Sequence, residues 1–312
     1  MNKAENDKTQ PENQPNPPIS RADGGTGDKD HEAPQWAQAR SEARSRRFLG
    51  VAVLVSIFFV IAAIAVILAA SGQMKRFIYR PLPVEWVTVP SGEFLMGAAD
   101  GDVNANSDEK PQHAVYLDAF EIMAYEVTNA QYAQCVRAGI CLGSESLMAV
   151  GDERKNHPVT LVNWFDAQTF CALVGGRLPT EAEWEKAAHG GLDGALYPWG
   201  DAPPDCSRVN FKSVDSGYCV GEASPVGSYA PNGYGLYDMA GNVWEWVADW
   251  YAEDYYANSP VENPQGPEDG MYCVMRGGSW YFDEMSLRLA VRSWGNPKAR
   301  NEIIGFRCAR LP

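Results

Sequence analysis

A run of 27 residues without a charged side chain, from Phe48 to Met74, constrains this chain more than any other feature. Its apolar part, residues 48–70, is FLGVAVLVSIFFVIAAIAVILAA. At about 1.5 Å per helical residue, this length covers the roughly 30 Å hydrocarbon layer of a membrane. A cleaved signal peptide is the alternative, but its apolar stretch is normally shorter and starts near the N-terminus. We therefore expect one transmembrane helix at residues 48–70, in contact with the lipid bilayer.

The segments on the two sides of this run differ in charge. Residues 1–47 are polar, and their eight basic and eight acidic side chains cancel. Such a segment cannot bury enough apolar surface to offset the entropy of ordering, so we expect a disordered tail. Residues 71–84 are expected to be a linker, and residues 85–312 carry a net charge of −17. An acidic domain repels phosphate backbones, which argues against a nucleic-acid partner.

The basic flanks of the apolar run and the position of the cysteines indicate an orientation. Four arginines lie in the eight residues before the run, and three basic residues follow its apolar part. This margin favours a cytoplasmic N-terminus. All seven cysteines lie beyond the run, and disulfides persist mainly in oxidising compartments. We expect a single-pass membrane protein with a periplasmic or extracellular domain; seven reduced cysteines in a cytosolic domain are the alternative.

The cysteines favour three disulfide bridges and one free thiol. One pair encloses the end of a predicted helix, another brackets a loop, and a third would tie the last strand to a helix. These pairs are Cys135–Cys141, Cys206–Cys219 and Cys171–Cys308. Cys273 is left as the free thiol. No CxxC pair occurs, which argues against a zinc site.

The large domain is predicted to mix helices with short strands. Residues 85–96 alternate apolar and polar side chains around a central turn, which predicts a β-hairpin. Three helices are predicted from their N-terminal capping residues. These capping residues are Thr128, Asn163 and Thr180. After residue 190 the sequence is typical of turns and short strands, so we expect an irregular, loop-rich α+β fold.

Eight motifs follow one another through residues 85–312. They are VPSGEFLMG (89–97), YEVTNAQYAQC (125–135), HPVTLVNWFDAQTFC (157–171), GGRLPTEAEWEKAA (175–188), YPWGD (197–201), PNGYGLYDMAGNVWEW (231–246), RGGSW (276–280) and GFRCA (305–309). Together they strongly resemble formylglycine-generating, or sulfatase-modifying factor, domains. The resemblance implies a compact, C-type-lectin-like fold. It also implies that Cys308 pairs with the helix cysteine, Cys171.

One position of the family pattern is changed in this chain. In the family's oxidases, two cysteines shortly after the RGGS motif hold copper, which activates oxygen to convert a sulfatase cysteine to formylglycine. Soft thiolates are suitable ligands for Cu(I). Residues 280–292 of this chain contain no cysteine, and Phe282 and Leu287 stand where the thiols are expected. The sequence therefore predicts no catalytic cysteine pair and no copper.

The resemblance also implies a calcium site in the segment PNGYGLYDMAGNVWEW. Two positions supply carboxylates and two supply backbone carbonyls, and hard oxygen ligands on a curved loop suit Ca²⁺. The four positions are Asp238, Gly241, Val243 and Glu245. A second calcium site of the family would fall on Asn210 and Phe211, with Tyr218 near the position of its usual acidic partner.

Other residues are assigned a groove or a structural role. Trp244 and Ser279 match positions that line the substrate groove of the family. Arg276 is expected to hold the fold through contacts with carboxylates and carbonyls. Three acidic residues after the tryptophan-rich segment are expected to form a solvated surface. These are Asp249, Glu253 and Asp254.

The sequence thus favours a membrane-anchored, extracytoplasmic binding or accessory module with structural calcium. Its partner outside the membrane would be a protein or a glycan. One alternative is an enzyme, either a formylglycine-generating-type oxidoreductase that acts on a protein cysteine through a non-standard thiol site, or another oxidation that uses Cys273. A second alternative is a structural component of the cell envelope.

Overall fold

The computed structural model describes residues 53–67, 83–143 and 151–312. Residues 53–67 form a helix, α1, inside the predicted membrane span, and most of its side chains are exposed. Within these described ranges, no helix has both the length and the apolar character needed to cross a membrane. The predicted tail and residues 71–82 of the linker lie outside the described residues.

Eleven short strands form four small sheets among the described residues. In chain order they are β1 (Trp86–Val89), β2 (Gly92–Met96), β3 (His113–Leu117), β4 (Phe120–Met123), β5 (Lys212–Ser213), β6 (Gly217–Tyr218), β7 (Trp244–Trp250), β8 (Cys273–Arg276), β9 (Ser293–Gly295), β10 (Ile304–Gly305) and β11 (Ala309–Arg310). The sheets are β1-β4-β11, β10-β7-β8-β9, β2-β3 and β5-β6. All pairs are antiparallel except β10 with β7, which is parallel.

The predicted hairpin at residues 85–96 is wrong. β1 pairs with β4, and β2 pairs with β3, so the two consecutive strands belong to different sheets. The alternation was informative about burial, since Val89 and Phe94 both enter the same apolar core. Alternation shows which face of a strand is buried but does not determine its partner. Here each strand pairs with a partner that lies further along the chain.

The helices of the domain begin where their capping residues predict. They are α2 (Asn129–Arg137), α3 (Trp164–Leu173), α4 (Glu181–His189) and a short α5 (Tyr255–Asn258). The side chains of Thr128, Asn163 and Thr180 each accept a hydrogen bond from the backbone N–H three residues later. These bonds satisfy amides that the first helical turn leaves unpaired.

All three expected disulfides are present. Cys135–Cys141 closes the end of α2, Cys206–Cys219 brackets a loop, and Cys171–Cys308 joins α3 to the segment before β11. The first and the last of these bridges lie in the apolar core that α2 and α3 share with Phe306. Cys273 is the free cysteine, and it is buried.

Helix α4 is unusual because all nine of its residues are buried, including its glutamates. Two arginines compensate this charge. Arg276 donates to Glu181 at 2.8 Å and to Glu185 at 2.5 Å, and it also donates to the carbonyl of Leu289. Arg292 donates two further bonds to Glu181. The structural role expected for Arg276 is therefore confirmed, and this group is called the α4 ion network below.

The expected solvated surface at Asp249 is wrong. Asp249 is 2% exposed, and its carboxylate accepts a hydrogen bond from the backbone N–H of Glu181 at 2.7 Å. Burial, with the nearby Glu181 charge, raises the pKa of Asp249 well above its usual value. The residue lies on β7 and faces the N-terminus of α4, where an unpaired amide needs an acceptor. Glu253 and Asp254 are exposed, as expected.

We predict that Arg276→Met lowers the free energy of unfolding by about 3–5 kcal/mol, because it leaves buried glutamates without their counter-charge. Urea unfolding of the full chain, followed by tryptophan fluorescence, measures the change. Arg310→Met is the matched control, since the Arg310–Glu121 pair is partly exposed and is expected to contribute about 0–1 kcal/mol. Equal effects of the two substitutions would contradict the structural role of the α4 ion network.

We also predict one reactive thiol per chain when the protein is denatured without reductant, and none in the native state. The denatured count follows from the three bridges, and the native count follows from the burial of Cys273. Titration with a thiol reagent, with Cys273→Ser as the control, measures both. Seven reactive thiols would refute the three bridges.

Candidate functional site

The segment after β8 occupies the place where the sequence resemblance expects copper-binding thiols. Phe282 is 40% exposed, and its ring packs edge-on against Trp244, with the ring centroids 5.8 Å apart. Leu287 is almost fully buried in a 3₁₀ turn, Glu284–Leu287, where it packs with Phe211. Neither side chain can bind Cu(I), and both are held by apolar packing.

Four aromatic rings near this segment form a surface that we call the aromatic surface. Its members are Tyr218, Trp280, Tyr281 and Phe282. Neighbouring ring centroids lie between 5.6 and 6.1 Å apart. Tyr218, Tyr281 and Phe282 are each exposed by 40% or more. Exposed rings that are close to one another are typical of binding surfaces rather than of ordinary solvent-facing loops.

The two predicted groove residues lie beneath the aromatic surface. Trp244 is on β7 and only 4% exposed, and it reaches the surface through its contact with Phe282. Ser279 is fully buried, and its hydroxyl accepts a hydrogen bond from the backbone N–H of Tyr281. Both residues therefore contact the exposed aromatic segment from the interior of the domain. Their role as groove residues stays a prediction.

A cavity of about 440 Å³ adjoins the aromatic surface at Trp280, and we call it the Trp280 cavity. This volume falls within the range of small-ligand sites in proteins. Its wall is built from five separate stretches of the chain. The lining residues are Asn129, Arg154, His157, Pro158, Thr160, Leu161, Gly221, Glu222, Ala223, Trp280 and Glu302.

The polar groups of the Trp280 cavity are partly paired with one another. Arg154 forms an ion pair with Glu222, and both side chains are about half exposed. Asn129 donates a hydrogen bond to the backbone carbonyl of Arg154. Burial and the positive charge of Arg154 lower the pKa of His157, so its ring is neutral at pH 7. The sequence did not indicate this cavity, because no single motif contains more than a few of its residues.

Cys273 differs from the residues of the aromatic surface because it is buried. It is on β8, opposite Gly295 and Trp250 in the neighbouring strands, and is fully buried. Burial, together with the negative charge of Asp249, raises the pKa of the Cys273 thiol to about 12. The reactive form of a cysteine is the thiolate, so this residue is held in an unreactive state.

The predicted calcium loop is tightly curved. Asp238, Gly241 and Asn242 all have positive φ angles, between 55° and 70°. A Cβ atom on Gly241 would lie 2.5 Å from the carbonyl oxygen of Asn210, so glycine is required there. Asp238 is mostly buried and accepts a hydrogen bond from the backbone N–H of Gly227. Burial raises the pKa of Asp238 to about 6.

Three buried carboxylates lie around this loop, with one arginine to balance them. Arg307 donates two hydrogen bonds to Glu245, which also accepts one from the indole of Trp184. The third carboxylate, Glu126, is fully buried. Burial and the charges of Asp238 and Glu245 raise the pKa of Glu126, and its Oε1 atom has no hydrogen-bond partner among the described residues.

This excess of buried negative charge fits a divalent cation. Asp238 and Glu245 would supply carboxylate oxygens, and Gly241 and Val243 would supply carbonyls. In the described ranges, no group of three or more His, Cys, Asp or Glu side chains is arranged to hold a metal ion. The predicted site relies on only two such side chains, so calcium stays a prediction. The sequence signal that could have indicated Glu126 is its position between apolar neighbours in YEVTN.

The second predicted calcium position is less suited to an ion. Asn210 and Phe211 are buried, and the Asn210 amide donates to Glu222 O and Ser224 Oγ. Tyr218 lies on β6 and is exposed, as part of the aromatic surface. The Oδ1 atom of Asn210 has no hydrogen-bond partner in the described part of the chain, and its amide contacts are to a backbone carbonyl and a hydroxyl rather than to a carboxylate.

The fold and these sites define a sulfatase-modifying-factor type of domain. Residues 76–312 match the family described as sulfatase-modifying factor enzyme 1-like domain, and the chain belongs to this family. The resemblance inferred from the eight motifs is therefore confirmed, together with the mixed helix-and-strand fold that it implied.

Three similar proteins show how the domain is used elsewhere. A serine/threonine-protein kinase, pkn1, of Chlamydia caviae is 41% identical over 253 residues, which are 74% of this chain but only 38% of the kinase. The formylglycine-generating enzyme of Streptomyces coelicolor is 36% identical over 278 residues, covering 72% of this chain and 88% of the enzyme. The structure of PvdO from Pseudomonas aeruginosa has a TM-score of 0.63 and 28% identity, covering 75% of this chain and all of PvdO.

We predict that Ca²⁺ raises the melting temperature of the metal-stripped full chain, because an ion bound only by the folded state stabilises it. At an ion concentration of 100 times the dissociation constant, the gain is about 2.7 kcal/mol. Differential scanning calorimetry measures the shift. Asp238→Ala is expected to abolish it, whereas Asp254→Ala, which removes an exposed carboxylate, should leave it unchanged. No shift in the unsubstituted chain would remove the calcium assignment.

Proposed function

We propose that this protein is a membrane-anchored, extracytoplasmic binding or accessory module that lacks the oxidase chemistry of its family. One observation carries the proposal: the positions expected for the copper thiols hold Phe282 and Leu287, which pack into apolar surroundings. An aromatic surface thus stands where the oxidases of the family would bind their metal. The module would contain structural calcium and no copper.

The extracytoplasmic location is supported by the cysteines. Three bridges use six of the seven cysteines, and such bridges are stable in oxidising compartments. The anchor is supported by the composition of residues 48–70 and by α1, whose apolar side chains are mostly exposed in the described structure. Exposed leucine, valine and phenylalanine side chains on a helix favour a lipid environment over water. The N-terminal tail would then be cytoplasmic.

A second candidate function is a formylglycine-generating-type oxidoreductase, and the similarity to the Streptomyces coelicolor enzyme favours it. The activity would need a thiolate, and Cys273 is the only cysteine outside the three bridges. Its burial and its pKa of about 12 both oppose that role. The binding module is therefore the better-supported proposal.

A third candidate is a structural component of the cell envelope, in which the domain only packs against partners. The similarity to a segment of a much longer kinase supports the idea that domains of this family act as modules within larger proteins. A purely structural role does not require an open cavity beside exposed rings. The aromatic surface and the Trp280 cavity therefore favour recognition of a ligand.

We predict that the full chain, incubated with Cu(I), oxygen and a peptide containing the CxPxR motif, produces no formylglycine. Mass spectrometry of the peptide measures the product, and an active formylglycine-generating enzyme is the positive control. Formylglycine production that disappears in Cys273→Ser would refute the proposal and establish the oxidoreductase.

The double variant Phe282→Cys and Leu287→Cys tests whether restoring two thiols at these positions creates a copper site. If these residues stand at the family's thiol positions, the variant gains Cu(I) binding that the unsubstituted chain lacks, because two soft ligands are restored. Competition with a Cu(I) chelator measures the affinity. A folded double variant that binds Cu(I) no better than the unsubstituted chain would show that this segment does not correspond to the copper site.

A further inference from the structure

We infer that the Trp280 cavity and the aromatic surface together bind a neutral oligosaccharide. This inference rests on the proposed binding function and names its ligand class. Three observations support it: the polar groups of the cavity wall, the cluster of rings beside the cavity, and the charge of the domain.

Two ring nitrogens of the cavity residues are buried without a hydrogen-bond partner. They are Nε1 of Trp280 and Nδ1 of His157, and neither is paired with any protein atom of the described residues. Leaving a buried polar group unpaired costs about 1–3 kcal/mol. Because His157 is neutral, its ring offers one donor and one acceptor rather than two donors. Both nitrogens have almost no accessible surface, so a sugar hydroxyl pairs with them only after a side chain of the wall rotates; the direct contacts come from the accessible polar groups described next.

Two accessible side chains of the cavity, one half-buried and one exposed, also have free hydrogen-bonding capacity. The side chains of Thr160 and Glu302 make no hydrogen bond or ion pair within the described structure. The Arg154–Glu222 pair is half exposed and leaves further N–H groups and an oxygen lone pair available. Hydroxyl, carboxylate, guanidinium and imidazole groups thus line one wall, which matches the hydroxyl edge of a sugar ring.

The aromatic surface supplies the complementary apolar face. A sugar ring carries C–H bonds on its faces, and these pack well on an aromatic ring. Trp280 belongs to both the cavity and the aromatic surface; Tyr218 and Tyr281 contact its ring, and Phe282 contacts Tyr281. Such a cluster offers several rings side by side, which suits a ligand of more than one sugar unit.

Charge argues against anionic ligands, and backbone geometry argues against peptides that bind by adding a strand. The domain carries −17, and Glu302 adds an unpaired carboxylate to the cavity, so sulfated, uronic or phosphorylated chains would be repelled. The lining residues lie on loops, turns and a helix start, and none belongs to a named strand. Peptides that bind by adding a strand need a free strand edge, which the cavity wall does not offer.

Isothermal titration calorimetry of the full chain with chitotriose, cellotriose and trigalacturonic acid tests the inference. The detergent must lack a sugar head group, because alkyl glycosides would compete for the site. We expect at least one of the two neutral trisaccharides to bind and the acidic one not to bind. Failure of both neutral sugars, or equally tight binding of trigalacturonic acid, would overturn the inference.

Substitutions at the rim separate stacking from hydrogen bonding. Trp280→Ala should weaken neutral-sugar binding by about tenfold or more, because it removes both the ring and the N–H group. Trp280→Phe keeps a ring and loses the N–H group, so its affinity should be intermediate. Trp294→Ala is the control, since Trp294 is an exposed tryptophan that contacts Tyr251 and Tyr272 instead of the cavity residues.

The outcomes distinguish this inference from the proposed function. Unchanged sugar affinity in Trp280→Ala, or an equal loss in Trp294→Ala, would place the sugar elsewhere and refute the Trp280 cavity. Binding of an unstructured peptide pool that depends on Trp280, without any sugar binding, would identify a peptide site and refute the glycan. Formylglycine production in the copper assay would instead refute the non-catalytic module, whatever the sugar result.

Discussion

The buried pairing of α4 with Arg276 is the interaction on which the rest of this domain depends. A helix with three glutamates would normally stay at the surface, yet every residue of α4 is buried. Arg276 makes this possible by neutralising Glu181 and Glu185 in the interior. It also donates to the carbonyl of Leu289, so the same side chain fixes the C-terminal end of the segment that follows β8. Arg276, together with Arg292 on Glu181, therefore links the buried helix to the segment that carries the candidate site.

This arrangement explains how the family's catalytic position can change while the fold remains. Residues 280–287 are held at one end by β8 and at the other by the bond from Arg276 to Leu289. Neither attachment uses the side chains at positions 282 and 287. Aromatic and aliphatic residues can therefore replace thiols there without disturbing the α4 ion network. The side chains that residues 280–287 expose to solvent can therefore vary without a change in the fold.

Sequence reasoning succeeded where the deciding interaction was local or belonged to a distinctive motif. The capping side chains of Thr128, Asn163 and Thr180 lie within three residues of the amides that they bind, so each helix start could be predicted. The absence of cysteine after RGGS was equally direct. Reasoning failed for the hairpin at residues 85–96, because strand partners are chosen by distant segments. Asp249 was predicted to be exposed, but it is buried because it accepts a hydrogen bond at the N-terminus of α4. The Trp280 cavity was not predicted, because its lining residues come together only in the folded chain.

The three-stranded sheet has a mechanical consequence for a tethered domain. β1 is the first strand after the linker, it lies at an edge, and within the described sheet it pairs only with β4. At the opposite edge, β11 follows directly after Cys308, which is covalently fastened to α3. If residues 48–70 anchor the chain in a membrane, as proposed, a pull on the linker would act first on β1, which is joined to its sheet by the four residues that pair with β4. β1 would then separate from β4 before the force reached the strand that the Cys171–Cys308 bridge fastens to α3.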